Sequence, residues 1–313
     1  MKDGKASYTA EVVAGYRAAE SSKPEAERAC YDPFASHFLR AAYRAVGKSR
    51  LVTKAFLWYR VERKYPGSIG EVVGRTRHID DHLKACIADG IQQLVVLGAG
   101  YDSRAYRFGE LRGKVKVFEV DHPATQRVKM DKVKTILGRL PEHVVYVPVD
   151  FDKQKLGQRL FECGYNRNLK TLFIWEGVTM YITAEAVDET LAFVASHSGE
   201  GSSIIFNYAY KSALDGSSKW VEAAASLKEL ARIGEPFVFG IEEGRIEEFL
   251  SQRGFHQVAN ANSDYFEKAY LQRSNTKMRS CKFLATVSAT VQPRKHVDWG
   301  LWHLLPTEKL AHA

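Results

Sequence analysis

The chain has 313 residues, 45% of them hydrophobic, and 45 lysines and arginines against 37 acidic residues give it a formal charge of +8. That length and apolar content allow one large α/β core plus a cap, or two modest domains, and exclude a mini-protein. The basic residues are spread from Lys2 to Lys309 among acidic ones, which reads as solvated surface, and no segment approaches the roughly 20 apolar residues that span a bilayer.

From the amino end, MKDGKASYTAEVVAGYR alternates charged and apolar positions and lacks the apolar core of a signal peptide. Cys30, Cys86, Cys163 and Cys281 are isolated, without a C-x-x-C pair, so the expectation is a reduced, cytoplasmic protein. Residues 8–62 carry apolar side chains at spacings of three and four, broken at Pro24, Pro33 and Pro66-Gly67, and predict an N-terminal helical cap over 1–74. RTRHIDDHLKACIADG, 75–90, predicts an amphipathic helix that ends at Gly90 and feeds the first strand.

Strands and helices then alternate, as in a parallel sheet with helices on both faces. Strands are expected at 93–97, 115–120, 143–149, 171–175 and 202–208, with helices near 102–109, 123–138, 152–163 and 183–198. A polar helical stretch at 211–235 interrupts the alternation where a lid over a ligand would sit. A helix at 242–255 restores it, and apolar runs at 257–266 and 281–291 read as a closing antiparallel hairpin. The fold class is therefore α/β and Rossmann-like, with a core over 75–292 and a tail over 293–313. The tail's aromatic run at 299–305 is expected to fold back on its own domain.

The chemistry concentrates where LVVLGAGYDSRAYRF, 94–108, runs from an apolar strand into Gly98-Ala99-Gly100 and a helix start. Glycine lets a main chain approach a ligand closely, and Asp121, at the tip of the next strand about twenty residues on, can accept two ribose hydroxyl protons. Glu119 is the reserve candidate, and capping of the following helix is the alternative role of Asp121. Glu176 closes the run Leu172 to Trp175 at a strand's carboxyl end, where ligands of open α/β sheets bind and an idle carboxylate is costly to bury. His78 and His82 stand four apart on one helix but lack a third ligand, so no metal is expected.

Several ordered motifs together carry a family resemblance: TAEVVAGYRAAES and YDPFASHFL, then RTRHIDDHL, LGAGYDSRAYRF, FEVDHP, VPVDF and IWEGVTMYIT. The chain resembles the leucine carboxyl methyltransferase family of class I S-adenosylmethionine-dependent methyltransferases, particularly its bacterial small-molecule O-methyltransferase branch. The resemblance implies a seven-stranded sheet with one antiparallel strand in its last hairpin, and S-adenosylmethionine as cofactor, released as S-adenosylhomocysteine. It implies that Gly98, Ala99 and Gly100 underlie the methionine part and that Asp121 holds the ribose. Asp150 and Phe151 would flank the adenine, Glu176 would lie beside the methionine amino group, and Arg77, with Arg17, would pair with the methionine carboxylate. Arg77 can equally pair with Asp80 or Asp81 on its own helix. Two departures stand out: Ser103 replaces a third glycine, and Gly177 follows the glutamate where eukaryotic protein-methylating relatives carry cysteine.

A sulfonium is already an excellent methyl donor, so holding an acceptor oxygen in line and excluding water is the protein's main task. Tyr181, Asn207, Tyr208 and Tyr210 are the candidate acceptor contacts, and no base is identified. The expected activity is O-methylation of a carboxylate or hydroxyl on a small organic molecule. A protein carboxyl terminus as acceptor, a non-catalytic S-adenosylmethionine-binding module and a nicotinamide-dependent dehydrogenase are the alternatives. No nucleic-acid partner is expected, because no basic stripe with interleaved aromatics is present, and no membrane partner, because no segment is apolar enough to span a bilayer. Acceptor identity and assembly state are not legible.

Overall fold

A computed structural model describes residues 8–41, 61–150, 154–272 and 278–293. Its centre is a seven-stranded sheet of order β3-β2-β1-β4-β5-β7-β6. The strands are β1 Gln93–Leu97, β2 Lys116–Asp121, β3 Val144–Pro148, β4 Thr171–Trp175, β5 Ser203–Ala209, β6 Phe255–Asn262 and β7 Leu284–Val291. The pairs among β1 to β5 are parallel, and β7 runs antiparallel between β5 and β6. This is the class I arrangement that the motifs imply.

Continuous apolar runs become central strands because both sheet faces are covered. QLVVL and TLFIW are buried at every position. Their alternate side chains feed two cores: Val95, Leu97, Phe173 and Trp175 pack on one face, and Leu94, Val96, Leu172 and Ile174 on the other.

Among the described residues, the helices of six or more residues are α1 Tyr8–Ser21, α2 Ser68–Ala88, α3 Pro123–Leu137, α4 Leu156–Glu162, α5 Ala184–Ser196, α6 Val221–Arg232 and α7 Ile246–Ser251. α5 supplies Val187, Leu191 and Val194 to the first core. α1 and α2 lie over the second, through Ala14, Ile79 and Leu83. The 211–235 insertion holds α6 and a single helical turn at Lys211–Leu214.

α2 begins seven residues before the expected start and runs unbroken across 74–75. Gly70 and Gly74 argue against a helix by propensity, yet close packing selects them. A Cβ on Gly70 would lie 2.1 Å from the Arg279 carbonyl oxygen, and one on Gly74 2.9 Å from the Phe266 Cβ. The helix expected at 242–255 shortens to α7, bounded by Gly244 and Gly254 at φ +82° and +84°. The expected helix at 102–109 is one turn, Arg104–Arg107, followed by a 3-10 turn at Gly109–Leu111. Between 22 and 41 the expected helix is an irregular segment with a 3-10 turn at Ala35–Phe38. Residues 42–60, Phe151 and the 299–305 run lie outside the described residues. Among the described residues no helix is long and apolar enough to cross a membrane.

The two α2 histidines are packing groups. His78 sits against Tyr265, Phe266 and Tyr270, and His82 leaves its Nε2 buried without a hydrogen-bond partner. Burial, reinforced by His78, pushes the His82 imidazole down to about 4. A histidine whose folded value lies below its unfolded value of about 6.5 stabilises the fold fully above that pH, and less as pH falls toward the folded value, because the unfolded chain protonates first. His82→Leu is therefore expected to flatten the fall in melting temperature between pH 6.5 and 4. Thermal denaturation across that range checks it; parallel curves for the two proteins would refute it.

Candidate functional site

The loop after β1 is fastened to the tip of β2. Gly98 and Gly100 take positive φ of +66° and +39°, and a Cβ on Gly98 would meet the Val178 side chain at 2.4 Å. The Gly100 N–H donates to Asp121 Oδ2 at 2.5 Å, the His122 N–H donates to Oδ1 at 2.6 Å, and the Ala99 N–H donates to the Val120 carbonyl at 2.9 Å. Burial raises the Asp121 carboxyl, and these two backbone donors oppose that rise. The capping alternative has another owner: the His122 ring nitrogen accepts from the Ala124 N–H at the start of α3.

Glu119 is consumed beneath the loop. It pairs with Lys129 Nζ at 2.9 Å and accepts from the Tyr106 hydroxyl at 2.8 Å, while Lys129 Nζ also donates to the Ala99 carbonyl at 3.3 Å. Between the two acidic residues of β2, Asp121 is the one at the loop, and Glu119 supports it from within.

Glu176 lies just beyond β4. Its Oε1 accepts from Arg75 Nε at 2.9 Å and its Oε2 from Arg104 Nη1 at 2.7 Å. Burial alone would raise this carboxyl, but Arg104, Arg75 and Arg17 hold it well below the ordinary range, so Glu176 is ionised. Arg75 also grips both Glu71 oxygens at 2.8 Å. Arg104 binds Asp80 at 2.8 Å and pairs with Asp102. Arg17 donates to Asp32 Oδ2 at 2.9 Å and to the Tyr101 carbonyl at 2.6 Å.

Arg77 faces elsewhere: it pairs with Asp81 at 2.9 Å, both side chains about 40% exposed (44% and 36%). Successive turns of a helix align residues four apart, whereas residues two apart point to nearly opposite sides. Glu71, Arg75, Ile79 and Leu83 are all buried and form one face of α2. Arg75 was missed on the sequence; its spacing of four from Ile79 and eight from Leu83 was the available signal.

A cavity of about 1030 Å³ opens beside Glu176, at the carboxyl ends of β4 and β5. Residues of α1, α2 and α6, with Gly177, Met180, Tyr181 and Phe283, line it. Of the candidate acceptor contacts, Tyr181 and Asn207 line this cavity. Tyr208 is fully buried between Phe206 and Tyr210, and Tyr210 stacks on Trp220 with ring centroids 5.5 Å apart. The Asn207 Oδ1 accepts from the Gly177 N–H at 2.6 Å, while its Nδ2 is buried without a partner. Asp150 follows β3 at the sheet's edge, half-buried, with its backbone exchanging hydrogen bonds with Gln154. The four cysteines are free, and Cys281 lines the cavity.

YktD of Bacillus subtilis (strain 168), named for S-adenosyl-L-methionine-dependent methyl transfer, is 36% identical over 165 residues, which are 53% of this chain and 54% of YktD. The match thus spans about half the length of that relative. A protein of Mycobacterium avium (strain 104) named for the same activity is 28% identical over 269 residues, 83% of this chain and 86% of its own. A crystal structure from Thermobifida fusca YX shares the fold, with a TM-score of 0.57 at 10% identity, covering 93% of this chain and 97% of that one. The leucine carboxyl methyltransferase family model matches residues 10–195. With that match over more than half its length, the chain belongs to the leucine carboxyl methyltransferase family.

Proposed function

We propose that the protein is an S-adenosylmethionine-dependent O-methyltransferase acting on an oxygen of a small organic molecule. One observation carries the reading: a ribose-ready carboxylate locked to a glycine loop, an ionised Glu176 and a large mostly apolar cavity share one edge of the sheet. The names of the relatives support the donor.

The residues present fit that donor. Asp121 would take the ribose hydroxyls, Asp150 and Phe151 the adenine, and the Gly98–Gly100 backbone the methionine stem. Glu176 would face the amino group. For the methionine carboxylate, the buried Arg17 is better placed than the outward Arg77. When bound, S-adenosylmethionine supplies a methyl group already activated by its sulfonium. What the chain adds is position and dryness: α1, α2 and α6 wall the cavity, and Asn207 and Tyr181 present polar groups to whatever lies beyond Gly177.

Calorimetry with S-adenosylmethionine, S-adenosylhomocysteine and NAD is expected to show heat with the first two alone. Methyl transfer from labelled donor into a library of phenols and acids is expected to mark an oxygen. Binding of NAD only would overturn the assignment, and tight donor binding with no labelled product would make the chain a binding module.

A further inference from the structure

Resting on the methyltransferase reading, we propose that the acceptor is a neutral hydroxyl compound with an extended apolar body, whose hydroxyl donates to Glu71, and that Glu71 turns carboxylates away. The argument begins with charge. Among the described residues that line the cavity, the basic side chains are Lys64 and Arg75, and the acidic ones are Glu11, Asp32, Glu71 and Glu229. Lys64 is paired with Glu229 at 2.7 Å, and Arg75 is shared between Glu71 and Glu176 at 2.8 and 2.9 Å. Neither cation has charge to spare for a second carboxylate.

The surrounding cluster leads to the same conclusion. Arg17, Arg75, Arg104 and Arg107 face five carboxyl groups, Asp32, Glu71, Asp80, Asp102 and Glu176; burial raises the Glu71 carboxyl and Arg75 opposes that rise, and with all five ionised the cluster carries four positive charges against five negative. A sulfonium donor would bring that balance to zero, its amino-acid part being a zwitterion. A carboxylate acceptor would make it negative again beside this buried cluster, where an uncompensated charge is expensive. A hydroxyl adds no charge.

Unpartnered neutral groups complete the case. Asn207 Nδ2 and Ser68 Oγ are buried without hydrogen-bond partners, and both residues line the cavity. The Gly177 N–H fixes the Asn207 amide by occupying its Oδ1. A continuous path runs from Glu71 through Arg75 to Glu176, and from the adjoining Gly177 to Asn207. The cavity wall thus carries an acceptor in Glu71 and a donor in Asn207, the two kinds of partner that a hydroxyl takes. Much of the remaining wall is apolar, with Val12, Tyr16, Leu39, Leu230, Phe237 and Phe283. At about 1030 Å³ the chamber stands at the upper end of small-molecule sites. It suits an acceptor with two rings or a long alkyl chain.

A matched pair of probes tests this without relying on turnover: 4-phenylphenol, neutral near pH 7, and 4-phenylbenzoate, ionised there. Calorimetry is run on the full chain saturated with S-adenosylhomocysteine, whose own titration reports the donor site separately. The phenol is expected to bind at least ~10-fold more tightly than the benzoate, and Glu71→Gln to shrink that ratio to roughly 3-fold, mainly by strengthening the benzoate. The wild-type ratio decides the charge class of the acceptor even if the variant does not fold, and the variant decides the part played by Glu71. Benzoate binding as tight as the phenol, or binding of neither probe to a protein that does take S-adenosylhomocysteine, overturns the proposal and leaves the methyltransferase reading standing. Failure to bind S-adenosylhomocysteine overturns both.

Discussion

Asp121→Ala is expected to weaken S-adenosylhomocysteine binding about 30- to 100-fold. The wild-type carboxylate holds the Gly100 and His122 N–H groups at 2.5 and 2.6 Å and keeps lone pairs for two ribose hydroxyls. Hydrogen bonds to a charged group are worth about 1.5–3 kcal/mol each, part of which water returns, so a net loss of about 2–2.7 kcal/mol corresponds to that range of affinity. Asp121→Asn keeps one acceptor oxygen and should fall between. The carboxyl is raised by burial, so donor affinity should begin to fall at a higher pH than an ordinary aspartate would dictate, as protonation removes an acceptor. Calorimetric titration of the three proteins across acidic pH checks both claims. An alanine variant with wild-type affinity would remove Asp121 from the site.

Arg104→Met is expected to destabilise the fold by about 3–5 kcal/mol, the cost of breaking a buried ion pair from one side. The Arg104 side chain is 3% exposed and serves Asp80, Asp102 and Glu176 together. Methionine fills much of the volume but leaves three carboxylates without that cation. For a chain of this size such a loss corresponds to a melting temperature lower by roughly 10 °C. Arg104→Lys keeps the charge without the planar fork and should recover only part of the loss. Thermal denaturation with and without S-adenosylhomocysteine measures it. A melting temperature within about 2 °C of wild type would show that the network is not held by this residue.

The sequence was a sound guide wherever one residue's neighbours along the chain decide its environment. Five apolar residues in a row at 93–97 and 171–175 belong inside a covered sheet whatever surrounds them, and both strands fall where the runs do. The glycine loop and Asp121 are equally local: a strand end, a positive-φ turn and the tip of the next strand lie next to one another because β1 and β2 pair in parallel. The family and its seven-stranded fold were legible in ordered motifs for the same reason.

What only the tertiary structure decided is which side of an element faces the site. Arg75 and Arg77 are two residues apart in similar surroundings, and the packing of α2 on the sheet turns one inward to Glu176 and the other out to Asp81. Asn207 and Tyr208 adjoin on β5, yet Asn207 lines the cavity and Tyr208 is sealed between Phe206 and Tyr210. The early start of α2 likewise depends on Arg279 and Phe266 pressing against two glycines. Periodicity along a chain can mark an apolar strand or a turn. The charge balance around Glu71 and Glu176 depends on residues some hundred positions apart, and only folding brings them within hydrogen-bonding distance.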